Sequence, residues 1–159
     1  MIVEKIIITT EKQELNITGA TLLSIEEYRQ CKDLIPRVNK TWWLRSAGYD
    51  VDLAACVFGE DGNVGEGGFR VFHEFGVRPA LTILNLESSN LQIGDKFTFA
   101  GHIFTVISDT YALCDDIIGE CDFRENWRAK NSNNYETSDV KKRLENWYSN
   151  QVIEAESEE

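Results

Sequence analysis

Thr41-Trp42-Trp43-Leu44-Arg45-Ser46 is the stretch that decides the fold of this chain, and Gly76-Val77-Arg78-Pro79-Ala80-Leu81 answers it further along. Two adjacent tryptophans running straight into an arginine form a costly arrangement. Rings of that size are mostly buried in folded proteins, and an arginine beside them needs partners for its five donors. The same demand recurs at Arg78, inside the apolar run from Val77 to Leu84. Arginines held among large apolar side chains require a specific, hydrogen-bonded core. Trp42, Trp43, Arg45 and Arg78 are therefore expected as structural residues, together with Trp147 on a later helical pattern.

Bulk properties place limits around this core. A chain of 159 residues with 42% hydrophobic content fits one globular domain. The net charge is −11. Such a surface is repelled by nucleic-acid phosphates and by anionic lipid, and it favours cationic partners. Four cysteines, Cys31, Cys56, Cys114 and Cys121, form no C-x-x-C pair, and with only His73 and His102 available they match no zinc spacing. Buried free thiols are the expectation. Met1 to Thr10 lacks the pattern of a secretory signal, and no apolar run approaches the ~20 residues of a membrane span. The reading is a soluble, cytoplasmic protein with reduced thiols.

Along the chain, Ile2 to Thr9 is rich in β-branched residues and reads as a strand. Ala20 to Leu23 reads as a short buried strand, and Ser24 and Glu27 have capping-box spacing for a helix through about Ile35, ended by Pro36. Trp42 to Arg45 and Leu53 to Phe58 are strand-like, and Asp61-Gly62 signals a hairpin turn. Gly65 to Gly68 reads as a flexible stretch before a strand at Phe69 to Phe72, and Val77 to Leu84 closes the block. After a polar joint at Asn85 to Asn90, Lys96 to Phe99 and Ile103 to Ile107 alternate around Ala100-Gly101 as a hairpin, with a third strand at Tyr111 to Cys114. Asp115 to Asn134 reads as irregular. Ser138-Asp139 caps a last helix with Val140, Leu144 and Trp147 on its buried side, and Glu154 to Glu159 reads as a frayed tail.

Several of these segments resemble a known family. Leu22 to Tyr28, Trp42 to Ser46, Gly76 to Leu81, Phe104 to Ile107, Ala112 to Cys114 and Tyr135 to Leu144 resemble an uncharacterised domain family of Firmicute genomes, prophages and conjugative elements. The resemblance implies a C-type-lectin-like fold of the kind shared by formylglycine-generating enzymes and phage tropism determinants. The order of the blocks differs from the usual arrangement in that family, so this chain looks circularly permuted. The expected architecture is α+β: a single compact C-type-lectin-like domain with short antiparallel strands and two main helices. A strand or hairpin extension covers residues 1–19, the domain covers 20–150 with permuted halves 20–84 and 91–150, and an acidic tail covers 151–159. A permutation is reasonable where the original termini lie close together.

No catalytic constellation, cofactor motif or metal-ligand set emerges. Cys56, Cys114 and Cys121 do not form the placed pair that an oxidase of the formylglycine-generating type needs. Glu60-Asp61-Gly62-Asn63 offers oxygens for calcium, yet turn chemistry accounts for it. His73 and Glu74 are adjacent and would face opposite sides of a strand. The acidic run carries more weight: Asp115, Asp116, Glu120, Asp122 and Glu125 are five carboxylates within residues 115–125. From Ser89 onward the chain has fourteen acidic and seven basic residues, so 7 − 14 = −7 of the total −11 lies there. A spaced row of carboxylates imitates a phosphate backbone and can occupy a cationic groove. These five residues are the candidate partner-binding site. The function expected is a non-catalytic acidic binding protein of a phage or mobile element that engages a basic protein. Its specific form would be inhibition of a host nucleic-acid-binding defence enzyme, anti-CRISPR-like, with no direct binding of nucleic acid or membrane. The alternatives for the run are a solvated loop or internal partners for Arg45, Arg70 or Arg78. The alternative for the protein is a recognition module for a glycan or cell-surface ligand.

Overall fold

Strand β2, Trp42–Ala47, has three consecutive buried residues at its start, which is possible only when both faces of a strand are covered. The computed structural model describes residues 16–157, and it supplies those two faces. Trp43 packs on one side with Val77, Phe123, Val140 and Leu144. Trp42 and Leu44 pack on the other with Leu23, Tyr28, Val57 and Ile107. The expected strand at Ile2 to Thr9 lies outside the described residues.

The described chain is a single α+β domain built from two five-stranded sheets and two α-helices. β1 (Asn16–Thr21), β6 (Ala80–Leu84), β9 (Tyr111–Cys114), β8 (His102–Val106) and β7 (Lys96–Phe99) form one sheet in the spatial order given. In the other, β10 (Gly119–Asp122), β5 (Glu74–Val77), β2, β3 (Leu53–Val57) and β4 (Val64–Arg70) lie side by side. All pairings are antiparallel except β2 with β5, which meet at Trp42 and Gly76. β1 crosses the position between residues 19 and 20 where the sequence places the edge of an extension, and it pairs along its length with β6.

One antiparallel ribbon joins the sheets. β5 and β6 follow one another through Arg78-Pro79, and β9 and β10 run back alongside them. Val77 to Leu84, which the sequence presents as one run, is thus divided between two sheets, with Arg78 at the seam. The seam is held by Cys114 N–H donating to the Pro79 carbonyl at 2.9 Å and Ile118 N–H donating to the Val77 carbonyl at 2.9 Å.

Helix α1, Ile25–Cys31, has the expected capping box: Ser24 Oγ accepts from Glu27 N–H, and Glu27 Oε1 accepts from Ser24 N–H. It stops at Cys31 rather than Ile35. Its last buried side chain is Cys31, and the following turn carries the chain to Pro36, whose carbonyl accepts a bond from Arg78. α2, Asp139–Ser157, buries Val140, Leu144 and Tyr148, while Trp147 is only partly covered. Its helical backbone continues into the stretch read as a frayed tail.

Two further readings are corrected. Gly65 to Gly68 is part of β4 rather than a flexible stretch, and Phe72 lies in a turn beyond it. The glycines serve close approach: a Cβ on Gly65 would lie 2.9 Å from Cys56 Sγ, and at Gly68, where φ is 88°, a Cβ would lie 2.7 Å from the Ala54 carbonyl oxygen. Asp115 to Asn134 is not wholly irregular, because it contains edge strand β10. The Ala100-Gly101 hairpin forms as read, with Phe99 opposite His102.

Candidate functional site

Arg45 and Arg78 take no side-chain partner from the acidic run. Arg45 makes a two-pronged contact with Glu27, Nη1 to Oε1 at 2.5 Å and Nη2 to Oε2 at 2.9 Å, and a further bond to the Leu22 carbonyl. Burial alone would push the Glu27 carboxyl upward, but the hydrogen bonds and charge of Arg45 and the Ser24 amide outweigh it and hold its pKa low. Arg70 pairs with Asp52 at 3.4 Å. Arg78 is 1% exposed. It donates from Nε to the Cys114 carbonyl at 2.7 Å and from Nη2 to those of Pro36 and Asp115, at 2.8 and 3.1 Å. Its guanidinium lies 5.0 Å from the Trp42 ring centroid. Only the backbone oxygen of Asp115 takes part.

The five carboxylates of the run divide into different roles. Asp115 is built into the first sheet, where it accepts from Lys96 Nζ at 2.6 Å and from the buried Thr105 hydroxyl at 2.5 Å. Asp116 accepts from the amide of Ile117 in a local turn. With Arg37 and Lys40 both line a separate open groove. Glu120 is paired with Lys40 at 2.6 Å.

Asp122 and Glu125 behave differently. With Glu120 they line an open depression of about 600 Å³ that also takes Glu74 from β5 and Asp139 from the start of α2. β-strand alternation puts Glu120 and Asp122 on one face of β10 and turns Cys121 to the other. The Cys121 carbonyl accepts from Trp43 Nε1 at 2.9 Å, anchoring the strand to the core. The register sets Asp122 directly opposite Glu74. Like charges at directly opposed positions destabilise a sheet. Partial burial raises the Asp122 pKa first, and Glu74, Glu125 and Asp139 raise it further. Asp139 also accepts from the Glu125 amide at 2.7 Å, which fixes the loop after β10. Lys142 and Arg143 of α2 line the same depression.

A run of stacked aromatic rings follows β4 and enters β5. Phe72 and His73 stack at 5.4 Å and 25°, and His73 and Phe75 at 5.5 Å and 9°. Trp127 meets Phe72 at 6.1 Å and carries Arg128 over its own ring. Phe72 is 38% and Trp127 41% exposed.

Sequence reading thus named two members of the converged set, Asp122 and Glu125, with Glu120 on its margin. It missed Glu74 and Asp139 because their proximity depends on the β5–β10 register and on where α2 docks. The polar and apolar residues of Gly119 to Asp122 do not announce an edge strand.

Catalytic chemistry finds little support in the thiols. Burial pushes Cys31, Cys114 and Cys121 up to about 11 and Cys56 up to about 12, far from thiolate at neutral pH. Among the described residues no group of three or more His, Cys, Asp or Glu side chains is placed to hold a metal ion, and no helix is long and apolar enough to cross a membrane. No protein-family model, curated protein or solved structure matches this chain.

Proposed function

We propose that this is a non-catalytic binding protein whose acidic edge engages a basic protein partner. The observation that carries the reading is the convergence of Glu74, Asp122, Glu125 and Asp139 on one depression, with Asp122 directly opposite Glu74. A fold gains nothing from that opposition, whereas a cationic partner would relieve it. The resemblance to a family of prophages and conjugative elements gives the proposal its specific form. The partner would be a host defence enzyme that binds nucleic acid, its cationic groove filled by carboxylates in place of phosphates.

The centre of the site moves accordingly, from residues 115–125 to Glu74, Asp122, Glu125 and Asp139. Asp115 is excluded from charge-reversal tests, because its side chain holds Lys96 and Thr105. The exposed Phe72–Trp127 shelf favours a second reading, recognition of a glycan or cell-surface ligand within a C-type-lectin-like domain, since aromatic faces stack on such ligands.

Affinity capture from a Firmicute lysate with wild type, a Glu74→Lys/Glu125→Lys variant and a Phe72→Ala/Trp127→Ala variant separates the two. On the first reading a basic nucleic-acid enzyme is retained at low salt, released at high salt and lost in the charge-reversed variant. Retention that ignores both salt and charge reversal but fails in the aromatic variant overturns it in favour of the second.

A further inference from the structure

The cavity beneath Arg78 runs against the charge of the whole molecule. In a chain of net charge −11, this cavity of about 200 Å³ is lined by three cations, Lys32, Arg37 and Arg78, against two acids, Asp33 and Asp61. One of the acids is already engaged: Asp61 Oδ1 accepts from the Asn63 amide at 2.9 Å in the β3–β4 turn. The frame is fixed, because Tyr28 donates its hydroxyl proton to the Gly62 carbonyl at 2.6 Å and so ties α1 to that turn.

Arg78 is the deepest charge in this frame. Its three hydrogen bonds use Nε and Nη2 and go to backbone carbonyls alone. Among the described residues no protein acceptor meets Nη1, and no carboxylate lies within ion-pair distance of the guanidinium. A buried guanidinium with unspent donors and no counter-charge is an expensive group unless something supplies an acceptor. Trp42 and Val57 give the cavity an apolar wall. Its volume exceeds that of a single water, which takes about 30 Å³ of liquid.

We propose that this cavity binds a carboxylate carried on a short apolar body, with Arg78 Nη1 donating to the carboxylate, Lys32 and Arg37 closing over it at the rim, and the apolar portion against Trp42. The site is distinct from the acidic depression, and its test is independent of the basic-partner reading. The carboxylate could belong to a free small organic acid or to the C-terminus of a peptide.

The full chain, labelled with ¹⁵N, is titrated at constant ionic strength with butyrate, with the neutral isostere butyramide, and with an N-acetylated alanyl-valine bearing a free C-terminus. Saturable shifts of the Trp42 indole N–H and of the Gly62 and Asn63 amides are expected with a carboxylate and absent with butyramide. Tighter binding of butyrate identifies a free acid, and tighter binding of the dipeptide identifies a chain terminus. Lys32→Gln and Arg37→Gln lie at the exposed rim and leave the core intact, and each should weaken binding about two- to fivefold. Arg78→Lys keeps the charge and removes Nη1, and where it folds it should abolish the saturable shift. Absence of saturation with either carboxylate, equal shifts with butyramide, or isotherms unchanged in both rim variants would overturn the proposal.

Discussion

One ribbon, β5–β6 against β9–β10, carries two opposite electrostatic solutions at its seam and at its edge. At the seam a single cation is buried among neutral carbonyls and a tryptophan face. At the edge four carboxylates, Glu74, Asp122, Glu125 and Asp139, crowd an open depression. The seam uses charge to satisfy backbone groups where the strands change sheets, so its arginine contributes to stability. The edge sets Asp122 directly against Glu74, so that opposition costs stability, while Asp139 also fixes the loop after β10. The two places are told apart by what each would leave behind on removal: stranded carbonyls at the seam, a relieved repulsion at the edge.

The largest effect expected is at the seam. Arg78→Leu leaves the carbonyls of Pro36, Cys114 and Asp115 without their donor and should cost about 3 kcal/mol or more in denaturant unfolding. A loss under about 1 kcal/mol would erase the distinction between seam and edge.

Glu27→Gln is an intermediate case, since glutamine keeps an oxygen for the Ser24 cap and loses the charge facing Arg45. A loss of about 1–2 kcal/mol at neutral pH is expected. The folded Glu27 pKa lies below its ordinary value, so its contribution is complete above the ordinary carboxylate range. It is lost as pH falls from the ordinary carboxylate range through the lowered folded value. Melts of wild type and variant should converge there.

Asp122→Asn should act in the opposite direction, raising stability by about 0.5 kcal/mol at neutral pH. The folded pKa of Asp122 is raised, so its penalty is present when it is ionised. That penalty disappears as pH falls through the raised value toward the ordinary carboxylate range, and the difference between variant and wild type should shrink over that interval. A destabilising Asp122→Asn would show that the edge is structural after all.

The smallest effect sharpens the pairing itself. In a double-mutant cycle, Glu74→Gln and Asp122→Asn should gain less together than the sum of each alone, by a few tenths of a kcal/mol. Strict additivity would mean that the two carboxylates do not feel one another across the strands.

Much of this fold was legible in the residues. Ser24 and Glu27 declare a helix start because capping is satisfied within four residues. Ala100-Gly101 declares a hairpin because the turn and its alternating flanks are local. Trp42-Trp43 declares a buried, strand-like segment because rings of that size are mostly buried. The errors fall where a local signal meets a distant constraint. Gly65 to Gly68 reads as loose, yet β4 needs glycine against Cys56 and Ala54. The helix pattern to Ile35 ends at Cys31, and the turn that follows brings the Pro36 carbonyl to Arg78.

The sequence by itself determined an acidic α+β chain, the buried status of Trp42, Trp43 and Arg78, and the local caps and turns, because hydrophobicity, charge and short-range hydrogen bonding are properties of neighbouring residues. Only the tertiary structure decided that Val77 to Leu84 divides between two sheets, that Asp115 is structural while Asp122 meets Glu74, Glu125 and Asp139, and that Arg78 lines a cavity. Those outcomes depend on strand register and helix docking, which bring together residues far apart in the chain and are fixed by the packing of the whole domain.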